Sequence, residues 1–325
     1  VAAVPTGMKA GVRMSPRRMA IVPVRALPSV AAMVNWNLGG RVSVMDLRPL
    51  AAAATGGKCH EQMGAERERK LETFEVAVWL FPVMFAVAVF TGFVDSIAGG
   101  GGLVMMPALL ATGMPPHLAL GTNKLQSVFG TSMACRNYWK GGLVQVRENL
   151  PLVALAFAGA ASGALLVQQI SSNVLTYIVP IFLLLLAGYV IFSPAMTDVD
   201  AHERLTRKGY APVAGGIGLY DGFFGPGTGQ FFTASLVGLR GHGLTRATAN
   251  TKLFNAATNW AAVIVFAFGG KVVWLLGITM AAGAMLGGYL GSHFAMRHGA
   301  KVIRPLMIIA SLGLTGRLIW GWFTS

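Results

Sequence analysis

"PLVALAFAGAASGALLVQQISSNVLTYIVPIFLLLLAGYVIF", residues 151–192, contains no charged side chain. It lies inside a longer uncharged stretch at residues 149–197. A membrane-spanning helix needs about 20 mainly apolar residues, so this stretch is long enough for two. Residues 171–173 are polar and form a natural link. We therefore predict spans at 151–170 and 174–192.

The composition of the whole chain agrees with a membrane location. Hydrophobic residues make up 54% of the 325 residues, and charged residues only 12%. Soluble domains carry about 25% charged residues. Further uncharged runs occupy 76–94, 272–296 and 305–316. We predict an all-α polytopic membrane protein.

The N-terminal part has a different composition. Residues 1–45 contain six basic side chains and no acidic one. We predict that 1–73 is a basic, disordered extension. Its composition is that of an organellar transit peptide, or of sequence translated upstream of the true start, and both alternatives stay open. The net charge of +14 lies mainly in this extension and in short loops, so we expect no nucleic-acid partner.

Two segments of the chain resemble each other. "TGFVDSIAGGGGLVMMPALL" begins at Thr91, and "IGLYDGFFGPGTGQFFTASL" begins at Ile217. In both, an aspartate, Asp95 or Asp221, precedes a glycine cluster by four residues.

The resemblance continues downstream of the glycines. "ALGTNKLQSVFGTSMA" (119–134) parallels "ATANTKLFNAATNWAA" (247–262), which places Lys124 opposite Lys252, with a two-residue insertion between the aspartates and the lysines. We infer a duplication of about 120 residues. The predicted organisation is transmembrane repeat 1 at 74–192, a cytoplasmic linker at 193–210 and transmembrane repeat 2 at 211–325.

The positions of the basic residues predict that the repeats are inverted. Basic loops stay in the cytoplasm, which places 136–149, 193–210, 239–246 and 297–304 inside. The loop after the Lys124 helix is then inside, and the loop after the Lys252 helix is outside. Inverted repeats are a common plan for secondary transporters.

The glycine clusters predict broken helices. Segment 211–238 begins and ends inside, and its 28 residues would give roughly 42 Å of helix, which suits a hairpin reaching mid-membrane. Each repeat would have one such glycine-broken helix or hairpin and about three spanning helices. Irregular backbone at that depth must line a cavity or be buried in protein. The alternatives are close helix packing and two short spans per repeat. The expected substrate-binding glycines are Gly99, Gly100, Gly101, Gly102, Gly225 and Gly227.

Four ionisable side chains fall within these apolar segments: Asp95, Asp221, Lys124 and Lys252. Such groups cost about 2.5–3.5 kcal/mol each on insertion and are functional by default. The lysines are expected to bind substrate. The aspartates are expected to pair with the lysines or to take up a coupling proton. A purely structural ion pair is the alternative.

The two lysine helices also carry polar stripes at four-residue spacing. Residues at this spacing share one face of a helix, and that face should meet a cavity. Lysines, amides and helix N-termini are donors, which favours an anion, although a neutral solute stays possible. The stripes comprise Asn123, Ser127 and Thr131 with Gln126, and Thr251, Asn255 and Asn259 with Asn250. Of these, Asn123, Gln126, Ser127, Asn250 and Asn255 join the expected binding set.

Other chemistries find little support in the sequence. The glycine runs lack the strand–turn–helix context of a nucleotide-binding loop. Cys59 and Cys135 have no metal-ligand spacing, and no nucleophile–base set stands out. We expect no metal, no cofactor and no enzymatic activity.

"VDSIAGGGGLVMMPALLATGMPPHLALGTNKLQSVFGT" and "GLYDGFFGPGTGQFF" resemble the TauE/SafE-type sulfite exporter family, especially its YfcA-like branch. The resemblance covers about residues 76–323. It implies a secondary transporter of small anions, often sulfur-containing ones such as sulfite or organosulfonates, in the bacterial inner membrane. The expected function is therefore export of such an anion by alternating access. A non-transporting membrane scaffold or assembly factor and a permease for a neutral solute are the alternatives. An organellar membrane is possible if the extension is a transit peptide.

Overall fold

The computed structural model describes residues 32–37, 41–46, 76–191, 199–200 and 202–299. The chain divides into two compact units, Val1–Glu75 and Val76–Ser325.

The first unit contains an antiparallel pair of strands, β1 (Ala32–Asn37) and β2 (Arg41–Asp46), with Val34 opposite Val44. The sequence analysis did not predict these strands. The other residues of the predicted extension, up to residue 73, lie outside the described residues.

The described part of the second unit begins with a two-residue strand, β3 (Val76–Ala77), and its other regular elements are helices. Three helices among the described residues are long and apolar enough to cross a membrane: Leu80–Ala98, Val146–Val167 and Trp274–His298. The all-helical membrane class is thus confirmed. The described helices are α1 (Leu80–Ala98), α2 (Gly101–Ala111), α3 (Pro116–Lys140), α4 (Val146–Val167), α5 (Ser172–Ile191), α6 (Arg207–Phe223), α7 (Thr228–Arg240), α8 (Leu244–Phe268) and α9 (Trp274–His298).

The helices of the two repeats pack in a reciprocal pattern. Helix α1, the first of repeat 1, packs along α9, the last described helix of repeat 2. In the same way, α6 packs along α4, and α3 packs against α8. Exchanging α1–α4 with α6–α9 reproduces these pairings, as expected for a duplicated chain. The inverted orientation of the repeats stays a prediction, and the part of repeat 2 after residue 299 lies outside the described residues.

Small residues allow these helices to approach closely. A methyl group on Gly283 of α9 would meet the main-chain oxygen of Phe85 in α1, and one on Gly287 would meet that of Val89. Across the other pair, methyl groups on Gly218 and Gly222 of α6 would meet the backbone of α4. Helix association in lipid depends on such close packing, because the hydrophobic effect gives little drive there.

Both glycine clusters interrupt a helix. Helix α1 ends at Ala98, and Gly99 follows in the left-handed conformation, φ 73°, donating its N–H to the Asp95 main-chain oxygen at 2.8 Å. Helix α6 ends at Phe223, and Gly225 and Gly227 also have positive φ values before α7 begins.

The breaks are shorter than the glycine clusters. Gly101 and Gly102 belong to α2, and Gly229 belongs to α7. Helix α2 has 11 residues. At 1.5 Å per residue it is about 16 Å long, roughly half the apolar thickness of a bilayer. Helix α2 alone is therefore too short to cross a bilayer.

The described part of the predicted linker contacts repeat 2. The N–H groups of Arg204 and Leu205 donate to the main-chain oxygen of Leu239, at 3.1 and 2.9 Å. Arg240 pairs with Glu203, and Gly243 donates its N–H to Asp200 at 2.6 Å. Helix α6 begins at Arg207, so the end of the predicted linker is helical.

Candidate functional site

The two helix breaks touch each other, backbone against backbone. A methyl group on Gly99 would lie 2.7 Å from the Cα of Gly229, and one on Gly229 would lie 2.5 Å from the Cα of Gly99. One on Gly102 would lie 3.2 Å from the Cα of Pro226. Only residues without a side chain permit this approach, which gives the glycines a reason beyond helix packing.

Helices α3 and α8 place a buried lysine beside this junction. The side chains of Lys124 and Lys252 are 2% and 0% exposed. A methyl group on Gly225 would lie 2.7 Å from the Lys124 Nζ, so the glycine leaves room for the ammonium group.

Each lysine binds the aspartate of the other repeat. The Lys124 Nζ donates to the Asp221 Oδ1 at 2.7 Å and to the Asn259 Oδ1 at 3.2 Å. The Lys252 Nζ donates to the Asp95 Oδ2 at 3.2 Å and also to the Asp95 main-chain oxygen. The ion pairs considered from sequence are therefore present, and they cross between the repeats.

The crossed pairs balance formal charge at the junction of the two helix breaks. Two ammonium groups and two carboxylates sum to zero. Removing one partner of a buried pair costs about 3–5 kcal/mol, because the other charge is left uncompensated. The pairs thus tie the two repeats together at the helix breaks.

A small polar cavity of about 30 Å³ lies at this junction. Its walls come from α1, α2, α3, α6, α7 and α8, so both repeats contribute. The lining residues are Asp95, Gly99, Gly102, Asn123, Lys124, Ser127, Thr131, Asp221, Gly225, Gly227, Thr228, Gly229, Asn255 and Asn259.

Most residues expected from sequence to form the site line this cavity. Gly101 and Gln126 instead line an adjoining cavity that shares Asp95, Gly102, Ser127 and Thr131 with the first. Lys252 reaches the site through its bond to Asp95, and Gly100 lies in the link between α1 and α2.

Asn250 lies elsewhere and does not line either cavity. Its Oδ1 accepts from the Asn149 Nδ2 at 2.9 Å and from the Gln145 N–H at 3.1 Å, and its Nδ2 donates to the main-chain oxygen of Arg246 at 2.9 Å. These bonds join α8 to the start of α4. At about 100° of rotation per residue, Asn250 lies on the side of α8 opposite Asn259.

The expected set did not include four lining residues: Thr131, Thr228, Gly229 and Asn259. Thr131 and Asn259 continue the four-residue stripes and could have been added by that spacing alone. Thr228 is the first residue of α7, and its hydroxyl donates to the Gly225 main-chain oxygen at 2.6 Å. Its place depends on where the helix restarts, which the glycine pattern did not define.

The backbone adds positive potential to the cavity. Helix α2 begins at Gly101 and α7 at Thr228, and residues of both first turns line the cavity. A helix N-terminus carries a partial charge of about +0.5, with N–H groups that lack intrahelical partners. With the formal charges balanced, two such termini favour an anion.

Comparison with known proteins gives the same general picture. The family model described as "Sulfite exporter TauE/SafE" matches residues 84–318. "Probable membrane transporter protein ORF9" of Sinorhizobium sp is 44% identical over 246 residues, covering 75% of this chain and 94% of that protein.

Two further relatives also have names that describe membrane transporters. "Probable membrane transporter protein YfcA" of Escherichia coli (strain K12) is 41% identical over 248 residues, covering 76% of this chain and 92% of that protein. "Probable membrane transporter protein" of Haemophilus influenzae is 38% identical over 252 residues, covering 77% of this chain and 99% of that protein. No solved structure matches. The chain is a multi-pass membrane protein that belongs to the sulfite exporter TauE/SafE family of membrane transporters.

Proposed function

We propose that the protein is a secondary transporter of small anions, sulfur oxyanions or organosulfonates above all, and that it exports them across the inner membrane. The observation that carries this proposal is the polar cavity at the junction of the two helix breaks. The substrate class and the direction come from the family description, which names sulfite export. The proposal assigns no catalytic activity.

The anion preference follows from the donors at the cavity. The Lys124 ammonium, the amide nitrogens of Asn123 and Asn255, and the hydroxyl of Ser127 can all donate to an oxyanion. The N-termini of α2 and α7 add partial positive charge. An oxyanion that replaces part of the bond between Lys124 and Asp221 would be held from both repeats.

The movement we propose is alternating access by the two repeats. The cavity lies where they meet, and their helices pack reciprocally around it. Rocking of one repeat against the other would open the cavity to each side in turn, as in other transporters built from repeats.

A neutral polar solute is the second candidate, because the crossed ion pairs leave no net formal charge in the cavity. A binding screen separates the two. Purified protein would be melted with sulfite, thiosulfate, sulfate, methanesulfonate, carboxylates and neutral controls. A ligand present at a hundredfold excess over its Kd stabilises by about 2.7 kcal/mol.

The first prediction concerns Lys124. We expect a sulfur oxyanion to raise the melting temperature of the wild-type protein, and Lys124→Ala to abolish that shift and lower flux in proteoliposomes. Lys140→Ala is the matched control, because Lys140 lies exposed at the end of the same helix. A shift only with neutral solutes would replace the anion proposal by the second candidate. Unchanged flux in Lys124→Ala would remove Lys124 from the site.

A further inference from the structure

The two cavity aspartates hold matching places in the repeats but have different hydrogen bonds. The Asp95 Oδ1 accepts from the Gly101 N–H at 3.2 Å, and its Oδ2 accepts from the Lys252 Nζ at 3.2 Å. The Asp221 Oδ1 accepts from the Lys124 Nζ at 2.7 Å. Its Oδ2 is buried and has no hydrogen-bond partner among the described residues. Asp95 is thus fully bonded, and Asp221 is not.

The missing hydrogen bond of Asp221 is costly because its side chain is buried. The Asp221 side chain is 4% exposed and that of Asp95 is 22% exposed. A buried carboxylate oxygen without a donor carries an uncompensated desolvation cost. Adding a proton removes that cost and turns the oxygen into a donor. A second buried oxygen, the Asn255 Oδ1, also has no partner in the described part of the chain and belongs to a residue that lines the same cavity.

We propose that the Asp221 Oδ2 is a proton-binding site, occupied by one proton with each anion that binds, while Asp95 stays ionised. This inference rests on the proposed function. The proton comes from bulk water, an O–H bond forms at Oδ2, and no other covalent bond changes. Asp221 becomes neutral while Lys124 keeps its charge. The formal charge of the cavity rises from zero to one, which one monovalent anion balances.

The ionisable groups around Asp221 are few. Lys124 faces it from α3, and Asp95 and Lys252 form the crossed pair at the same junction. Tyr220 is its neighbour on α6 and donates its hydroxyl to the Pro226 main-chain oxygen at 2.7 Å. The packed helices α4 and α7 carry charged side chains only near their ends, namely Arg147 and Glu148, and Arg240. When Asp221 gains a proton, Lys124 therefore loses its anionic partner and can bind the substrate anion instead.

Proton uptake by the wild-type protein tests this directly. Methanesulfonate is the probe, because its own charge does not change between about pH 5 and 8. It would be added to detergent-purified protein in weak buffer with a pH indicator. Where Asp221 is ionised in the free protein, we expect about one proton taken up per anion bound. Over that range the Kd rises about tenfold per pH unit, by linkage.

Two matched variants locate the proton. In Asp221→Asn, which imitates the protonated side chain, we expect no proton uptake and a Kd that does not vary with pH. In Asp95→Asn, which changes the cavity lining and so shifts the Kd, about one proton should still be taken up for each anion that binds. Uptake that persists in Asp221→Asn, or is lost only in Asp95→Asn, would overturn the assignment. Should Asp221→Asn fail to fold, the wild-type result still decides whether a proton binds, and Asp95→Asn decides whether it binds at Asp95.

The outcomes also separate this inference from the proposed function. Anion binding without proton uptake at any pH would overturn the proton site and leave anion transport standing. No binding of any anion at any pH would overturn the proposed function, and the inference with it.

Discussion

Each repeat contributes an aspartate, a glycine-rich helix break and a lysine to the cavity, in the same order, yet the two aspartates have different hydrogen bonds. In repeat 1, the aspartate is bonded by the helix that restarts after the break, through the Gly101 N–H. In repeat 2, the corresponding helix gives no such bond to Asp221, whose ion pair is instead shared with the Asn259 amide through Lys124. Both carboxylate oxygens of Asp95 thus accept a hydrogen bond, whereas one buried oxygen of Asp221 has no donor among the described residues.

The length of the break explains this difference. Two residues, Gly99 and Gly100, separate α1 from α2, so the first N–H of α2 stays within reach of Asp95. Residues 224–227 separate α6 from α7. The first N–H of α7, that of Thr228, donates to the Gly225 main-chain oxygen at 3.2 Å instead. The first residue of α2 follows Asp95 by six positions and that of α7 follows Asp221 by seven, so one of the two inserted residues lies before the helix restarts, and Asp221 has no backbone donor among the described residues.

Alanine substitutions at two glycines distinguish the cost of a steric collision at the first break from the cost of the left-handed backbone conformation. We expect the largest loss of stability among our predictions at the first break. Gly99 and Gly113 both have positive φ, 73° and 80°, but a methyl group on Gly113 would meet nothing within 4 Å. Gly113→Ala should cost about 1–2 kcal/mol of folding free energy, from conformation alone. Gly99→Ala should cost a further 1–3 kcal/mol, because the methyl group collides with the backbone of Gly229. Thermal melting of both variants in detergent measures the difference. Equal losses would mean that the two breaks do not touch.

Two asparagines of α8 should separate stability from binding. Asn250→Ala removes an amide that joins α8 to α4. The Gln145 N–H loses its acceptor and the buried Asn149 keeps only its bond to the Gln145 main-chain oxygen, so we expect a loss of about 1–3 kcal/mol in stability. Its methanesulfonate affinity should not change. Asn255→Ala should keep most of the stability and raise the Kd about five- to tenfold, the effect of one neutral hydrogen bond. Weaker binding by folded Asn250→Ala would place that residue in the site after all.

The sequence predicted the parts of this site better than their connections. The charge-free runs predicted the helices, and the glycine clusters predicted both breaks, because each signal is local and strong. The crossing of Lys124 to Asp221 and of Lys252 to Asp95 depends on how the repeats pack, which no local pattern records.

The placement of Asn250 and Asn255 could have been predicted better from their rotational positions on α8. Both are polar residues in one apolar helix, and they were assigned to the site together. Their rotational positions on α8 differ by about 140°, at 100° per residue, which places them on different faces. By contrast, the unpartnered oxygen of Asp221 depends on where α7 restarts, to within one residue, and sequence patterns do not define helix ends so closely.

The loop between α7 and α8 gives the smallest expected effect, and its contacts differ from those of the corresponding loop between α2 and α3 in repeat 1. There the loop residue Gly113 has open space around it, whereas the described linker residues contact the repeat 2 loop, with Asp200 accepting from the Gly243 N–H. Burial, helped by Arg246 and Arg240, lowers the pKa of His242 in this loop to about 4. The Gly243 N–H bond lowers the pKa of Asp200 below its usual range.

His242 should therefore make this loop sensitive to mild acid. Its native pKa is below the unfolded value of about 6.5, so the folded protein binds fewer protons than the unfolded chain between these values. Its contribution to stability is complete above about pH 6.5 and is lost as the pH falls toward 4. Asp200 stays ionised over most of this window, so the linker contact itself persists.

We expect the melting temperature to fall by a few degrees between about pH 7 and 5 in the wild type and by less in His242→Gln. The exposed His298 supplies the control substitution, His298→Gln, which should follow the wild type. Equal pH dependence in all three proteins would show that the loop of repeat 2 is no more sensitive to protons than the rest of the chain.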